Sequence, residues 1–484
     1  MKEAHRRAGC SRKRLPDKVR TETSDLCPAY FFCKEKIAVD LLKGKIKTIY
    51  FKYLTAAFGS AMISCIYGIV DMAVVGKYQG PSGTAALAVV APVWNIVYSL
   101  GLFMGIGGGV IFSTVRGRGD NGKGGSEYFS VALAGAAVLA ALSWAGLLLF
   151  ERPVLTFFGA SDEALLTSAR EYLKPIRFVL PIFLLNQFLT AFLRNDNDPA
   201  LATAGVLAGG VFNVFGDVFF TFGLDMGIYG AGLATAIGAV VSFGVLLTHF
   251  FKKKNTLKLV KPSAFFGKLR EISAAGFSSF FSDAAMGILT VLFNRQIMKY
   301  LGADALAVYG PIINISTFVQ CCAYSAGQAA QPVISVNYGA NKGGRIKETL
   351  KYSLYTVAAF GVFWTALSCA APNLYMRIFM KPTEKILKIA PAIVRTYSVS
   401  FLLLPLNIFS AYYFQSIMKP RAAMISTVAR VPLISGALIL ILPALQPAAV
   451  WLAMPITEFL TAVYAAVCLR KFTKALPECA ESSD

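Results

Sequence analysis

The chain has 484 residues, of which 56% are hydrophobic and only 15% charged, against roughly 25% charged in soluble globular proteins. That balance excludes a string of soluble domains and describes a chain solvated by lipid over most of its length. The net charge of +21 does not make it a nucleic-acid binder, because the basic residues gather in a leading tail and between apolar runs, while two histidines exclude a histidine-based metal centre and nine scattered cysteines exclude a disulfide scaffold.

Residues 1–48 form the longest polar stretch, with Lys2, Arg6, Arg7, Arg12, Lys13, Arg14, Lys18 and Arg20 crowded at its start. It lacks the order of regions that defines a signal peptide. It reads as a basic cytoplasmic tail drawn to anionic lipid, with an interfacial helix expected near residues 37–49. Cys10, Cys27 and Cys33 lack zinc-site spacing, and Cys479 stands alone near the end. Cys65, Cys321, Cys322, Cys369 and Cys468 lie in apolar runs and read as small core residues.

A membrane helix needs about 20 mostly apolar residues. Twelve stretches qualify: 50–75, 85–112, 129–150, 175–193, 200–222, 226–250, 272–298, 305–332, 352–378, 389–417, 422–443 and 447–469. No β-barrel alternation is present in the pattern, so the expected fold class is an all-α integral membrane protein. With the N-terminus inside, the inner segments hold 34 of the 47 Lys and Arg. The loop 251–271 alone carries Lys252, Lys253, Lys254, Lys258, Lys261, Lys268 and Arg270. This positive-inside bias places both termini in the cytoplasm.

The two halves repeat. Ala86-Leu-Ala-Val89, Pro92 and Asn95-Ile96 match Ala305-Leu-Ala-Val308, Pro311 and Asn314-Ile315 at a shift of 219, and Asn186 and Pro199 match Asn407 and Pro420 at a shift of 221. The expected organisation is a tail (1–48), a six-helix bundle (49–250), a cytoplasmic connecting loop (251–271), a second six-helix bundle (272–470) and a short tail (471–484). Six is even, so both bundles share one orientation, and their pseudo-two-fold axis runs along the membrane normal.

Where the halves differ, the differences are polar. Asp71 of the first span has Thr290 as its repeat partner; Asn213 and Asp217 of the fifth have Ile434 and Leu438; Thr235 of the sixth has Ile456. A carboxylate at mid-bilayer costs roughly 2.5–3.5 kcal/mol on insertion scales. Two in one bundle therefore require a protein- or water-facing setting. Asn213 and Asp217 are four residues apart and share a helix face, as do Tyr67 and Asp71. Two carboxylates, an amide oxygen and a hydroxyl suit a cation such as sodium or a held proton; a neutral polar cluster that locks helices together is the alternative. Asp283 and Glu458 are two further acids within spans, with Arg295, Arg395 and Arg430 as candidate partners, and ion pairing and transport both stay open for them.

At these residues the chain resembles the MATE (multidrug and toxic compound extrusion) transporter family. Tyr67-Gly-Ile-Val-Asp-Met-Ala-Val-Val-Gly76 resembles its first-span motif. Phe192-Leu-Arg-Asn-Asp-Asn-Asp-Pro199 resembles the turn between spans four and five. Asn213-Val-Phe-Gly-Asp217 resembles the fifth-span Asn-x-x-x-Asp, and Gly327-Gln-Ala-Ala-Gln-Pro-Val-Ile-Ser-Val-Asn-Tyr-Gly-Ala340 resembles the signature closing span eight. The resemblance implies two bundles about a central cavity and export of amphipathic, often cationic compounds against inflowing protons or sodium. It also implies that Asp71, Asn213, Asp217 and Thr235 form a cation site like that of the DinF-like branch. The expected span ten, 389–417, has no Asp or Glu, unlike the NorM-like branch. The glycine usual in the turn after span four is replaced by Asn197, which also accepts a left-handed backbone.

Tyr67, Asn186 and Asp283 are the candidate substrate-cavity residues. No cofactor is expected beyond the coupling ion, and the expected partners are a small amphipathic substrate and the lipid bilayer, in a monomer of the plasma or inner membrane. A lipid-linked oligosaccharide flippase is the rival reading and would need a cavity rich in Arg and Lys. Enzyme activity is not expected, because no HExxH or GxSxG occurs and His249 lies at the end of a span.

Overall fold

A computed structural model describes residues 41–119, 123–160, 162–380 and 382–477. Among them, every regular element is helical. Eleven helices are long and apolar enough to cross a membrane, and a bent pair makes the twelfth span. In chain order the spans are Ile46–Gly80, Ser82–Gly117, Lys123–Phe157, the pair Glu163–Ile176 and Leu180–Asn195, Pro199–Gly223, Gly227–Phe251, Phe265–Leu301, Ala303–Gly339, Gly343–Ala370, Glu384–Ser416, Pro420–Leu445 and Pro447–Lys474. Spans one and two run on through Gly80, whose backbone (φ 69, ψ −152) breaks the helix in a region open only to glycine.

Each expected span has a counterpart, with differences at three places. Span four begins earlier and bends by 60° between Ile176 and Leu180, so residues expected to form a loop are the helix Glu163–Ile176. Span nine ends at Ala370, and Pro372–Phe379 is a separate short helix. Residues 46–49, expected within an interfacial helix, are instead the first turn of span one. Residues 1–40 of the basic tail and 478–484 at the other end lie outside the described residues.

Three apolar cores hold the spans together. One gathers Val75, Val90, Phe129, Leu173, Phe188 and Leu246 from the first half. A second gathers Phe293, Ile312, Val394, Ile439 and Trp451 from the second half, and takes in Ile106 of span two. The third packs Tyr50 and Tyr53, at the start of span one, against Val333, Ile334, Phe409 and Tyr413 of the second half. Burial of side chains this size contributes roughly 1.5–3 kcal/mol each where water is the alternative; in lipid, close packing takes over that role.

The halves meet backbone to backbone at the end that bears the basic loops. A Cβ added to Gly276 would lie 1.9 Å from the Phe103 carbonyl oxygen, and one added to Gly117 would lie 2.0 Å from that of Val336. Further along the spans, Gly68 and its repeat partner Gly287 have nothing within 4 Å of such an atom. The repeat is visible in the backbone too. Asn197 (φ 64) and Met418 (φ 56), related by the same shift of 221, both turn the chain left-handed between a pair of spans.

Candidate functional site

Spans one, four, five and six converge in the first half on one hydrogen-bonded chain. Span five presents Asn213 and Asp217 on one face, one turn apart, just before a π-helical turn at Phe219–Gly223; such turns gather at functional sites. Span six reaches it closely because Gly209 and Gly238 abut, so that a Cβ on Gly209 would lie 2.6 Å from the Gly238 carbonyl oxygen. Asn213 Nδ2 donates to Thr235 Oγ1 at 3.0 Å and to Asp217 Oδ1 at 3.3 Å. Tyr172, on the first limb of span four, donates its hydroxyl to Asp71 Oδ2 at 2.6 Å and lies 3.4 Å from Thr235 Oγ1. Asp71, Tyr172, Thr235, Asn213 and Asp217 are thus linked without interruption.

Asp71, Asn213 and Asp217 are buried, at 8%, 4% and 0% exposure, so neither carboxylate points into lipid. The chain is short of donors: Asp71 Oδ1, Asn213 Oδ1 and Asp217 Oδ2 are all buried without a hydrogen-bond partner. Every unmet atom is an acceptor. A buried acceptor left unmet costs about 1–3 kcal/mol, more when charged, and a proton, a cation or a water's O–H relieves it. Among the described residues, no three or more His, Cys, Asp or Glu side chains are grouped to hold a metal ion. Carboxylate, amide and hydroxyl oxygens suit a hard ion or a proton rather than a soft transition metal.

Beside the chain lies a cleft of about 520 Å³, lined by Tyr67, Asn186, Gln187, Thr190, Asn213 and Thr235. Asn186 donates Nδ2 to the Ala239 carbonyl at 2.9 Å and leaves its Oδ1 unmet. Asp283 lies elsewhere, in a second cleft of about 450 Å³ in the other half, with Tyr324, Asn407, Tyr412, Gln415 and Arg430. It accepts from the Tyr324 hydroxyl at 2.8 Å. The three expected cavity residues are thus divided between two clefts.

Of the candidate arginines, Arg430 is the one that pairs. Its Nε and Nη2 reach Glu458 Oε1 at 2.8 and 2.7 Å, and Asn407 Nδ2 donates to Glu458 Oε2 at 2.6 Å. Arg395 donates to the Cys369 carbonyl, and Arg295 is exposed. Asn407 also donates to the Glu458 carbonyl at 2.8 Å, as its repeat partner Asn186 does to that of Ala239. The same bond thus survives in both halves, with an ion pair beside one and none beside the other.

Tyr172 is the participant that sequence reasoning missed. The available signal was the helical spacing of Leu166, Ala169, Tyr172, Leu173 and Ile176, all of them buried. Cys65 and Cys321, expected as core residues, are only partly buried and bring their sulfurs to 2.6 Å from each other between spans one and eight.

The MatE family model matches residues 56–219 and 279–441, one stretch in each half and together more than half of the chain. The chain belongs to the MatE family. Curated relatives of this MatE protein include the multidrug export protein MepA of Staphylococcus aureus strain MSSA476, 28% identical over 310 residues, covering 62% of this chain and 66% of the relative. MepA of Staphylococcus saprophyticus is 28% identical over 303 residues, covering 61% and 65%. The chain thus matches just under two thirds of the length of these relatives. A solved structure described as the outward-facing conformation of a multidrug resistance MATE family transporter of the MOP superfamily has a TM-score of 0.81 at 21% identity, covering 92% of this chain and 99% of that one. A MATE structure in a straight conformation has a TM-score of 0.84 at 20% identity, with the same coverage. At those identities the MatE likeness in structure speaks for the fold of twelve spans in two related bundles.

Proposed function

We propose that this MatE protein is a cation-coupled antiporter that exports amphipathic, cationic compounds by alternating access. The observation that carries this reading is the excess of buried acceptor oxygens on Asp71, Asn213 and Asp217. Asp71 and Asp217 take the coupling ion, a proton or sodium, while Asn213 and Thr235 complete its surroundings. Tyr172 ties the span-one carboxylate to Thr235, so filling the site draws span one toward spans four and six. The adjoining cleft with Tyr67 and Asn186 changes shape with it, and ion and compound weaken each other's binding reciprocally. Asp283, with one carboxylate oxygen held by Tyr324 in the second cleft, attracts the positive charge of the exported compound.

The names of the MepA relatives favour drug export over other cargo. The flippase reading needs a cavity of unneutralised cations. Arg430, the one candidate arginine lining a cleft, is neutralised by Glu458, and that counts against it. In this scheme the bundles divide near residues 251–271, the basic ends face the cytoplasm of a plasma or inner membrane, and a monomer suffices.

The test is efflux from vesicles under separately imposed proton and sodium gradients. Asp71→Asn and Asp217→Asn preserve size and remove charge, and each is expected to abolish ion-driven efflux with expression unchanged. Tyr172→Phe removes one charge-assisted hydrogen bond to the ionised Asp71 carboxylate, worth about 1.5–3 kcal/mol, and should tighten apparent proton affinity roughly tenfold or more, so that release becomes the slow step of efflux. Normal efflux by both Asn variants refutes the scheme.

A further inference from the structure

His249 is completely buried at the end of span six, next to the turn that joins spans four and five. Its Nε2 lies 2.7 Å from Asp196 Oδ2 and its Nδ1 3.2 Å from Asp198 Oδ2. A neutral imidazole has one N–H; the other nitrogen would then set a lone pair against a carboxylate oxygen. Only the imidazolium donates in both directions.

The two carboxylates are themselves braced. Asp196 takes Arg116 of span two at 3.1 Å, the backbone N–H of Thr256 at 2.9 Å and the Thr256 hydroxyl. Asp198 takes Lys252 at 3.1 Å and Lys254 at 2.8 Å, and caps span five through Leu201 N. Burial opposes the charge of Asp198, yet the hydrogen bonds from His249 and Lys254 and the nearby lysine charges hold its carboxyl well below the usual carboxylate range. Between the two aspartates, Asn197 accepts from the Tyr53 hydroxyl of span one at 2.9 Å.

This turn therefore gathers span one, span two, span six and the first residues of the connector to the second half. Arg116 stands beside Gly117, whose backbone touches Val336 across the two halves. We propose that His249 is the protonated pin of a latch that fastens the inter-half connector and the turn 196–198 at the basic end, and that loss of its proton releases them. Without the proton, one of the two carboxylate contacts turns repulsive while Lys252, Lys254 and Arg116 keep their charges. The connector residues 252–256 then lose their buried anchor, and this end gains freedom to open. His249 acts through the connector and touches no transported species, so it is a positioning residue.

The chain has only two histidines, so His5→Gln leaves a single one for nitrogen-15 histidine NMR of the full-length protein. The expected result at pH 7 is a ring protonated at both nitrogens; a neutral ring overturns the proposal. Hydrogen–deuterium exchange of residues 194–200 and 250–257 supplies the pH profile, comparing His249→Gln with the parent at each pH so that the intrinsic exchange rate cancels. The parent is expected to exchange at least tenfold more slowly at pH 6, with the difference closing as the ring loses its proton. A difference that is absent, or that stays constant with pH, overturns the latch. Should His249→Gln fail to fold, Asp198→Asn carries the same comparison, and the NMR result stands by itself. Neither measurement uses an ion gradient or a substrate, so failure here is distinguishable from failure of the antiport scheme.

Discussion

Gly339 ends span eight against span two, and alanine there is the sharpest probe of how the halves close. The added Cβ would lie 1.9 Å from the Thr114 carbonyl oxygen and 2.9 Å from its carbon. An ordinary carbon–oxygen contact needs about 3.4 Å, so the two backbones must part by roughly 1.5 Å, and overpacking of this kind costs about 1–3 kcal/mol. The penalty falls only on conformations in which these backbones touch. A state open at this end accepts the methyl freely. Gly339→Ala should therefore shift the equilibrium away from the closed basic end by roughly 5–150-fold.

The assay is hydrogen–deuterium exchange of residues 110–118 and 334–343, paired with thermal unfolding in detergent. Faster exchange in both segments and a lower midpoint are expected. Gly344→Ala is the control, because nothing lies within 4 Å of a Cβ there. In a helix it is expected to be neutral or stabilising by about 0.5–1 kcal/mol. If Gly339→Ala behaves like Gly344→Ala, the backbone contact does not govern closure.

Two further substitutions test how polar groups are held. Arg430→Leu strands a fully buried Glu458 and should cost about 3–5 kcal/mol in chemical unfolding, most of it recovered when Glu458→Leu is added; a single variant as stable as the parent would contradict the pairing. Asn197→Ala keeps a left-handed backbone at φ 64 without the side chain that eases it, and drops the Tyr53 bond. The expected loss is about 1–3 kcal/mol, and Asn197→Gly should lose less, both read from thermal melting.

The chain's own pattern determined a great deal. Long apolar runs forced twelve spans because lipid offers no partner to an open backbone. Repeated prolines and asparagines revealed the two halves, and polar positions without a like partner in the repeat marked Asp71, Asn213, Asp217 and Thr235 as candidates. Asn197 read correctly as the left-handed residue of a tight turn. These features are local, or recur at a fixed shift, and so can be read along a line.

Only the tertiary structure decided which group meets which. Tyr172 enters the site because span four bends by 60° and delivers a helix that hydropathy alone reads as loop. Glu458 takes Arg430, and Asp283 takes Tyr324 in another cleft. His249, which the sequence places only at a span end, proves to lie between two aspartates. Burial leaves each of these polar groups dependent on one or two neighbours, and those neighbours are chosen by the packing of spans far apart in the chain. Periodicity records which face of a helix is apolar; it carries no record of what stands opposite.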